Sequence, residues 1–255
     1  MARLDIRMFP CLDDNYGVLI KDLDSGAAAA IDVPDAEATL RAADEAGWEL
    51  THILVTHHHA DHVQGIAAVK ARFNCKVVGP KGEADQIPGL DETVSDGDRY
   101  RFGGFTAEII ETPGHTKAPA SWYFPEADVL FAGDTLFALG CGRVFGGKMD
   151  EMWASLEKLA KLPKETLVYC GHEYTVANAK FALTIEPDNQ HLKARADEAN
   201  RKRADGEPTL PTTIGAELQA NPFLRADRPE VAAAGMTGAE PAKVFAEIRT
   251  RKDRF

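Results

Sequence analysis

Ile53-Leu54-Val55-Thr56-His57-His58-His59-Ala60-Asp61-His62-Val63 is an apolar run that breaks, with no spacer, into four histidines and an aspartate. The chain has 8 histidines in 255 residues, so four of them within six positions is too dense for a chance surface loop. The apolar part reads as a buried strand (53–56), and a helix is expected over 63–73. In an extended segment His57 and His59 project to one side and His58 to the other. Asp61 and His62, on the following turn, reach a second point nearby. Imidazoles and carboxylates at this density suit zinc, iron or manganese. His58 is expected outside any metal shell.

Three further segments place a metal-ligand residue type just after a β-rich run. Residues 106–111 lead into Thr112-Pro113-Gly114-His115-Thr116, 129–132 into Gly133-Asp134-Thr135, and 167–170 into Gly171-His172-Glu173. Each polar residue falls where a strand end meets a loop, beside a glycine that permits close backbone approach. Taken singly, each reads equally as a hydrogen-bonded loop residue or a common turn. Their joint order with the histidine-rich turn gives them weight.

Around these segments the chain alternates short strands, expected also at 4–9, 17–21, 27–31, 76–78 and 121–124, with helices at 36–46 and 151–162. The latter is read as capped by Asp150 and stopped by Pro163. After His172 the β-branched runs vanish, and helices are expected over 173–185, 190–204, 214–219 and 241–252. At roughly 100–200 residues per domain, this texture divides into residues 1–173 and 174–255. The four cysteines, Cys11, Cys75, Cys141 and Cys170, have no Cys-x-x-Cys spacing and read as buried thiols rather than disulfides or a zinc knuckle.

The net charge is −11, all of it in residues 1–172, which disfavours nucleic-acid binding. No apolar run approaches the ~18 residues of a membrane span, and no signal-peptide pattern opens the chain. The expectation is a cytoplasmic monomer acting on a small molecule.

In its joint motif order the sequence resembles the metallo-β-lactamase superfamily and, within it, glyoxalase II, the hydroxyacylglutathione hydrolases. The carrying residues are His57-x-His59-x-Asp61-His62, Thr112-Pro113-Gly114-His115-Thr116, Gly133-Asp134-Thr135 and Gly171-His172-Glu173-Tyr174-Thr175. More specific marks are Asp14-Asn15-Tyr16, Cys141-Gly142-Arg143, Asn221-Pro222-Phe223-Leu224-Arg225 and Arg249-x-x-Lys252-Asp253. The resemblance runs the whole chain. It implies an α/β (α+β) architecture, the αββα sandwich of the superfamily over 1–173, followed by a helical glutathione-binding domain over 174–255.

The resemblance further implies two divalent ions, zinc first with iron or manganese as alternatives. His57, His59 and His115 would hold one, Asp61, His62 and His172 the other, and Asp134 would bridge them. Two such cations lower the pKa of a shared water and hold it as hydroxide, so no side-chain nucleophile is required. Asp61 and Asp134 are the candidate catalytic carboxylates. The implied reaction is hydrolysis of S-D-lactoylglutathione and related thioesters to glutathione and a 2-hydroxy acid, in methylglyoxal detoxification. Arg143, Phe145, Tyr174, Arg249 and Lys252 match the family's substrate-binding positions. Residues 243–255 carry five basic and two acidic side chains, a local +3 suited to carboxylates, and Arg249 and Lys252, three apart, are expected on one open face of the last helix, leaving Val244 and Ile248 for packing.

Two positions depart from the family pattern. Phe145 stands where some members have Tyr, followed by Gly146 where an acid is common, which removes one hydrogen bond to substrate. Ala118-Pro119 replaces a frequent Gly-His. Within the fold the rival is a persulfide dioxygenase, which resembles the turn but uses one iron and lacks the helical tail, or another hydrolase of the superfamily. From another class, a noncatalytic metal-binding interaction protein would keep the ligands only as a staple.

Overall fold

Residues 3–234 and 237–255 are described by the computed structural model, with Met1, Ala2, Gly235 and Met236 outside them. Their contacts separate two units: one runs up to Glu111 and takes in Thr116–Gly133, the other comprises Thr112–His115 and Asp134–Phe255.

In the first unit, β1 (Leu4–Cys11), β2 (Asn15–Asp22) and β3 (Ala28–Ile31) pair antiparallel, after which β4 (His52–Leu54), β5 (Lys76–Pro80) and β6 (Glu92–Val94) continue the sheet in parallel, in sequence order. Helix α1 (Ala36–Ala46) makes the crossover to β4; its N-cap Asp35 accepts a hydrogen bond from Ala38 N at 3.0 Å. Between β4 and β5 the expected single helix is two, α2 (Ala60–Val63) and α3 (Ile66–Phe73). Gly65 separates them because a Cβ there would lie 2.6 Å from a Val33 methyl and 2.8 Å from Ala36 N, so the chain must pass Val33 as bare backbone. Leu19, Ala30, Ile53 and Val77 of the sheet, Val55 just past β4, and Ala43, Ile66 and Val69 of the helices form one buried cluster.

A second sheet in this unit runs in the order β10 (Val129–Gly133), β9 (Ala120–Phe124), β8 (Phe105–Glu111), β7 (Arg99–Phe102), all antiparallel. Strands β9 and β10 are buried along their whole length, as expected of strands covered on both faces. Fully buried Trp122 joins the sheets by donating Nε1–H to Val55 O at 3.0 Å.

The second unit holds a short hairpin, β11 (Leu136–Phe137) with β12 (Gly140–Cys141), then α4 (Met149–Ala160), β13 (Leu167–Cys170), α5 (Thr175–Ile185), α6 (Gln190–Ala204), β14 (Thr212–Thr213, paired to β13), α7 (Ile214–Ala220), α8 (Pro229–Ala232) and α9 (Pro241–Asp253). Helix α4 starts earlier than the Asp150 cap expected, because Glu151 accepts the Lys148 N–H at 2.8 Å and so moves the first turn back. All four cysteines are buried free thiols.

Buried Glu217 of α7 locks the β11–β12 hairpin. Its carboxylate accepts from Leu139 N (2.7 Å), Thr212 Oγ1 (2.6 Å) and Asn221 Nδ2 (2.9 Å), and Asn221 Nδ2 also reaches the carbonyls of Phe137 (3.2 Å) and Gly140 (2.9 Å). Burial pushes the Glu217 carboxyl above its ordinary value, against the hydrogen bonds that favour its charged form. A carboxyl whose folded pKa exceeds its unfolded one costs stability as pH rises from the unfolded value through the folded one. Glu217→Gln does not titrate, so its stability relative to the parent should climb between about pH 4 and about pH 7. Urea melts at both pH values check this; a gap that stays constant or moves the other way contradicts it.

Candidate metal centre and substrate cavity

Asp32, left-handed at φ 56° just after β3, organises the histidine-rich turn. Its Oδ1 accepts Thr56 N–H at 2.7 Å, and its Oδ2 accepts the Thr56 hydroxyl at 2.7 Å and His62 Nδ1 at 2.8 Å. The Thr56 hydroxyl hydrogen is thereby used, so Thr56 Oγ1 receives the Nδ1 hydrogen of His57 at 3.0 Å. Both rings then carry the lone pair on Nε2, the tautomer a metal needs. His57 and His62 are buried, and the ring centroids lie 4.1 Å apart, with His59 4.8 Å from His57. His58 turns away: its Nδ1 and backbone N–H meet buried Glu83 at 2.7 and 2.9 Å. Asp61 lies in the first turn of α2, and buried Asn15 donates through Nδ2 to its carbonyl at 3.1 Å and its Oδ2 at 3.2 Å.

The second unit gathers His115, Asp134 and His172. Asp134 Oδ2 lies 3.2 Å from His172 Nε2 and 3.5 Å from His115 Nε2, all three residues being buried. His115 Nδ1 donates to Arg143 O at 2.9 Å, which puts its lone pair on Nε2, facing the carboxylate oxygen. Two electron-rich atoms held face to face away from water fit a cation between them, and the set of imidazoles and carboxylates in both units fits divalent zinc, iron or manganese.

Beside this trio opens a cavity of about 470 Å³, walled by His115 and Asp134 together with Arg143, Phe145, Tyr174, Arg249 and Lys252. The Tyr174 ring stacks on His172, centroids 4.8 Å apart and planes 3° apart. Phe145 is 65 % exposed and meets the His115 ring edge-on at 5.7 Å. Lys252 Nζ donates to Ala177 O at 3.2 Å, and burial, then Arg249 and Arg143, hold its pKa below the ordinary lysine value.

Arg249 departs from the expected open face. It is only 3 % exposed, buried like Val244 and Ile248. Its Nη1 donates to Cys141 O at 2.9 Å and its Nη2 to Asp253 Oδ1 at 3.0 Å, the oxygen that also accepts Arg143 Nε at 3.2 Å. The helix turns Arg249 inward because two acceptors and the Phe223 ring, 5.2 Å from the guanidinium carbon, are there to receive it. Sequence reading passed over Asp32 and Glu83 and gave Asn15 no role. Asp32 carries the same signal as the candidate ligands, a polar residue after a buried strand.

Residues 22–172 match the family described as the metallo-beta-lactamase superfamily. The crystal structure of ETHE1 from Myxococcus xanthus is similar at a TM-score of 0.67 and 26 % identity, over 97 % of this chain and 98 % of that one. Fold and site together define a metallo-β-lactamase-superfamily protein. Residues 173–255 match the hydroxyacylglutathione hydrolase C-terminus. A hydroxyacylglutathione hydrolase of Rhizobium meliloti (strain 1021) is 54 % identical over 256 residues, covering 100 % of both chains, and one of Rhodopseudomonas palustris (strain BisB5) is 54 % identical over 250 residues, covering 98 % of each. The chain belongs to the hydroxyacylglutathione hydrolase, or glyoxalase II, family.

Gly142 sits against the Asp134 backbone: a Cβ there would lie 2.0 Å from Asp134 O and 3.1 Å from His115 Nδ1. Gly142→Ala must displace one of them, so it should cost about 1–3 kcal/mol of stability and lower metal retention together with activity. Thermal melting and elemental analysis check this, and an unshifted Tm with full metal content contradicts it.

Proposed function

We propose that this protein hydrolyses S-D-lactoylglutathione and related glutathione thioesters to glutathione and a 2-hydroxy acid, in methylglyoxal detoxification. The carrying observation is the single cavity that has the buried ligands His115 and Asp134 and all five residues matched to substrate binding in its wall. Full-length identity to hydroxyacylglutathione hydrolases supports it. The functional domains proposed are a catalytic one over 1–173 and a glutathione-binding one over 174–255, supported by the family matches, which meet at 172 and 173.

His57, His59 and His115 are proposed to hold one ion, Asp61, His62 and His172 the second, with Asp134 shared and zinc the first choice. When bound, the two ions supply Lewis acidity and lower the pKa of water. The chain's own residues do the rest. Asp32 and the Arg143 carbonyl keep the histidines in the ligating tautomer. Arg143 and Lys252 offer cations to the glutathione carboxylates, Tyr174 offers a hydroxyl, and Phe145 an apolar edge. Arg249 is held between Cys141 and Asp253. Cys141, the thiol in the wall, has its pKa pushed up to about 11 by burial, so it stays protonated near neutral pH and does not compete as a nucleophile. Asp61 and Asp134 are the candidate carboxylates for proton handling.

No helix among the described residues is long and apolar enough to cross a membrane. The further reading proposed is a cytoplasmic monomer, and the charge of −11 supports its not binding nucleic acid.

Purified protein should release free thiol from S-D-lactoylglutathione without consuming oxygen, and elemental analysis should approach two metal equivalents. Rapid oxygen uptake with glutathione persulfide would favour the dioxygenase, and a single equivalent at full activity would remove the dinuclear assignment.

The Lys252→Ala variant should raise KM more than it lowers kcat, because it removes binding shared by ground and transition states. A charge-assisted hydrogen bond is worth ~1.5–3 kcal/mol, less where solvent screens it, so kcat/KM should fall on the order of 10- to 100-fold. Steady-state kinetics decide: an unchanged KM, with metal content intact, ends the glutathione-binding role of α9.

A further inference from the structure

We propose that Asn15 is the positioning residue of Asp61, presetting that carboxylate for its metal; this rests on the reading of Asp61 as a ligand. Asn15 is the first residue of β2, fixed by its register opposite Cys11, and only 5 % exposed. Its Nδ2 group spends its hydrogens on one residue, reaching the Asp61 carbonyl at 3.1 Å and the Asp61 carboxylate at 3.2 Å. Holding backbone and side chain of the same residue fixes both where Asp61 sits and how its carboxylate plane is turned. That matters because the Asp61 side chain is 41 % exposed and lies in the first turn of a four-residue helix.

The neighbouring strand does the same for the next ligand, where Asp32, just past β3, holds His62 Nδ1 at 2.8 Å. Adjacent strands thus deliver one orienting group each to two successive residues of the turn. The two groups differ in kind. Asp32 adds negative charge behind a neutral donor and strengthens it. The Asn15 amide places a hydrogen on a donor that is already anionic and sets its direction without adding charge. Partners of this type typically set metal affinity within a factor of 10 to 100.

The test compares wild type, Asn15→Ala, Asn15→Asp and Asp61→Ala. Metal-free protein is titrated with cobalt(II), followed by visible absorption, and zinc affinities are taken by chelator competition. Asn15→Ala should weaken one of the two metal equivalents 10- to 100-fold and leave the other unchanged, with the melting temperature of the metal-free protein unmoved. Asn15→Asp, which sets a second anion against Asp61, should alter the cobalt spectrum and fail to restore the wild-type affinity. If Asp61→Ala loses one equivalent while Asn15→Ala keeps both at wild-type affinity, the positioning role is wrong and the ligand reading stands. If Asn15→Ala weakens both equivalents alike and lowers the metal-free melting temperature, Asn15 only supports the hairpin and the inference fails. If Asp61→Ala changes nothing, the ligand reading falls and takes this inference with it.

Discussion

Imidazoles buried next to a sheet have to be held by something other than water, and in the first unit that task falls on Asp32. A buried carboxylate is tolerated only where donors meet its oxygens. Thr56 N–H, the Thr56 hydroxyl and His62 Nδ1 supply them. The dependence runs both ways, since His57 and His62 are themselves buried and take their tautomers, directly or through Thr56, from Asp32. The parallel step from β3 to β4 sets Asp32 and Thr56 beside each other, with Ile31 opposite Leu54 in the register. Without that pairing the histidine cluster would be a set of rings with undefined lone pairs.

The second unit solves the same problem with backbone rather than charge. Arg143 O fixes His115, and the loop carrying that carbonyl comes close enough only because Gly142 has no side chain. The hairpin before it is tied at Leu139, Phe137 and Gly140 by Glu217 and Asn221. Asn221 belongs to the Asn221-Pro222-Phe223 mark of the family, and the contacts show why such a mark can lie far along the chain from any ligand. It secures the loop on which the ligand's orientation depends, and Phe223 of the same mark underlies the Arg249 guanidinium.

How far the sequence revealed this follows from what kind of force each residue answers to. Buried Val129–Gly133 and half-buried Leu167–Cys170 show as apolar runs bounded by glycine or polar residues, and the candidate ligands Asp134 and His172 follow their ends, which is why strand-end reading picks those positions out. Gln190–Ala204 was legible to the residue behind Asn189, whose side chain accepts from His191 N and Leu192 N. Arg99–Phe102 was missed because its two charged positions face solvent and it is four residues long, too short for alternation to stand out. The inward turn of Arg249 was illegible for another reason. Its acceptors, Cys141 O and Asp253 Oδ1, include a carbonyl more than a hundred positions away, and only the tertiary fold brings it there.

The two departures from the family pattern have separate structural meanings. Ala118 is not a vacancy where another residue worked: its N–H donates to Glu83 Oε1 at 3.0 Å, and Glu83 Oε2 takes both His58 Nδ1 and His58 N–H. One buried carboxylate therefore fastens the loop after β8 to the turn that carries the ligands, and it does so through a backbone N–H that residue identity at 118 does not alter. Ala118 also sits close to Gly82, 2.4 Å from where a Cβ would be, so the loop's path is set by a small residue meeting a glycine. Phe145 is the opposite case. Its ring lines the cavity and meets His115 edge-on, while the Arg143 carbonyl holds His115, so a hydroxyl missing at 145 changes what the cavity offers to a substrate.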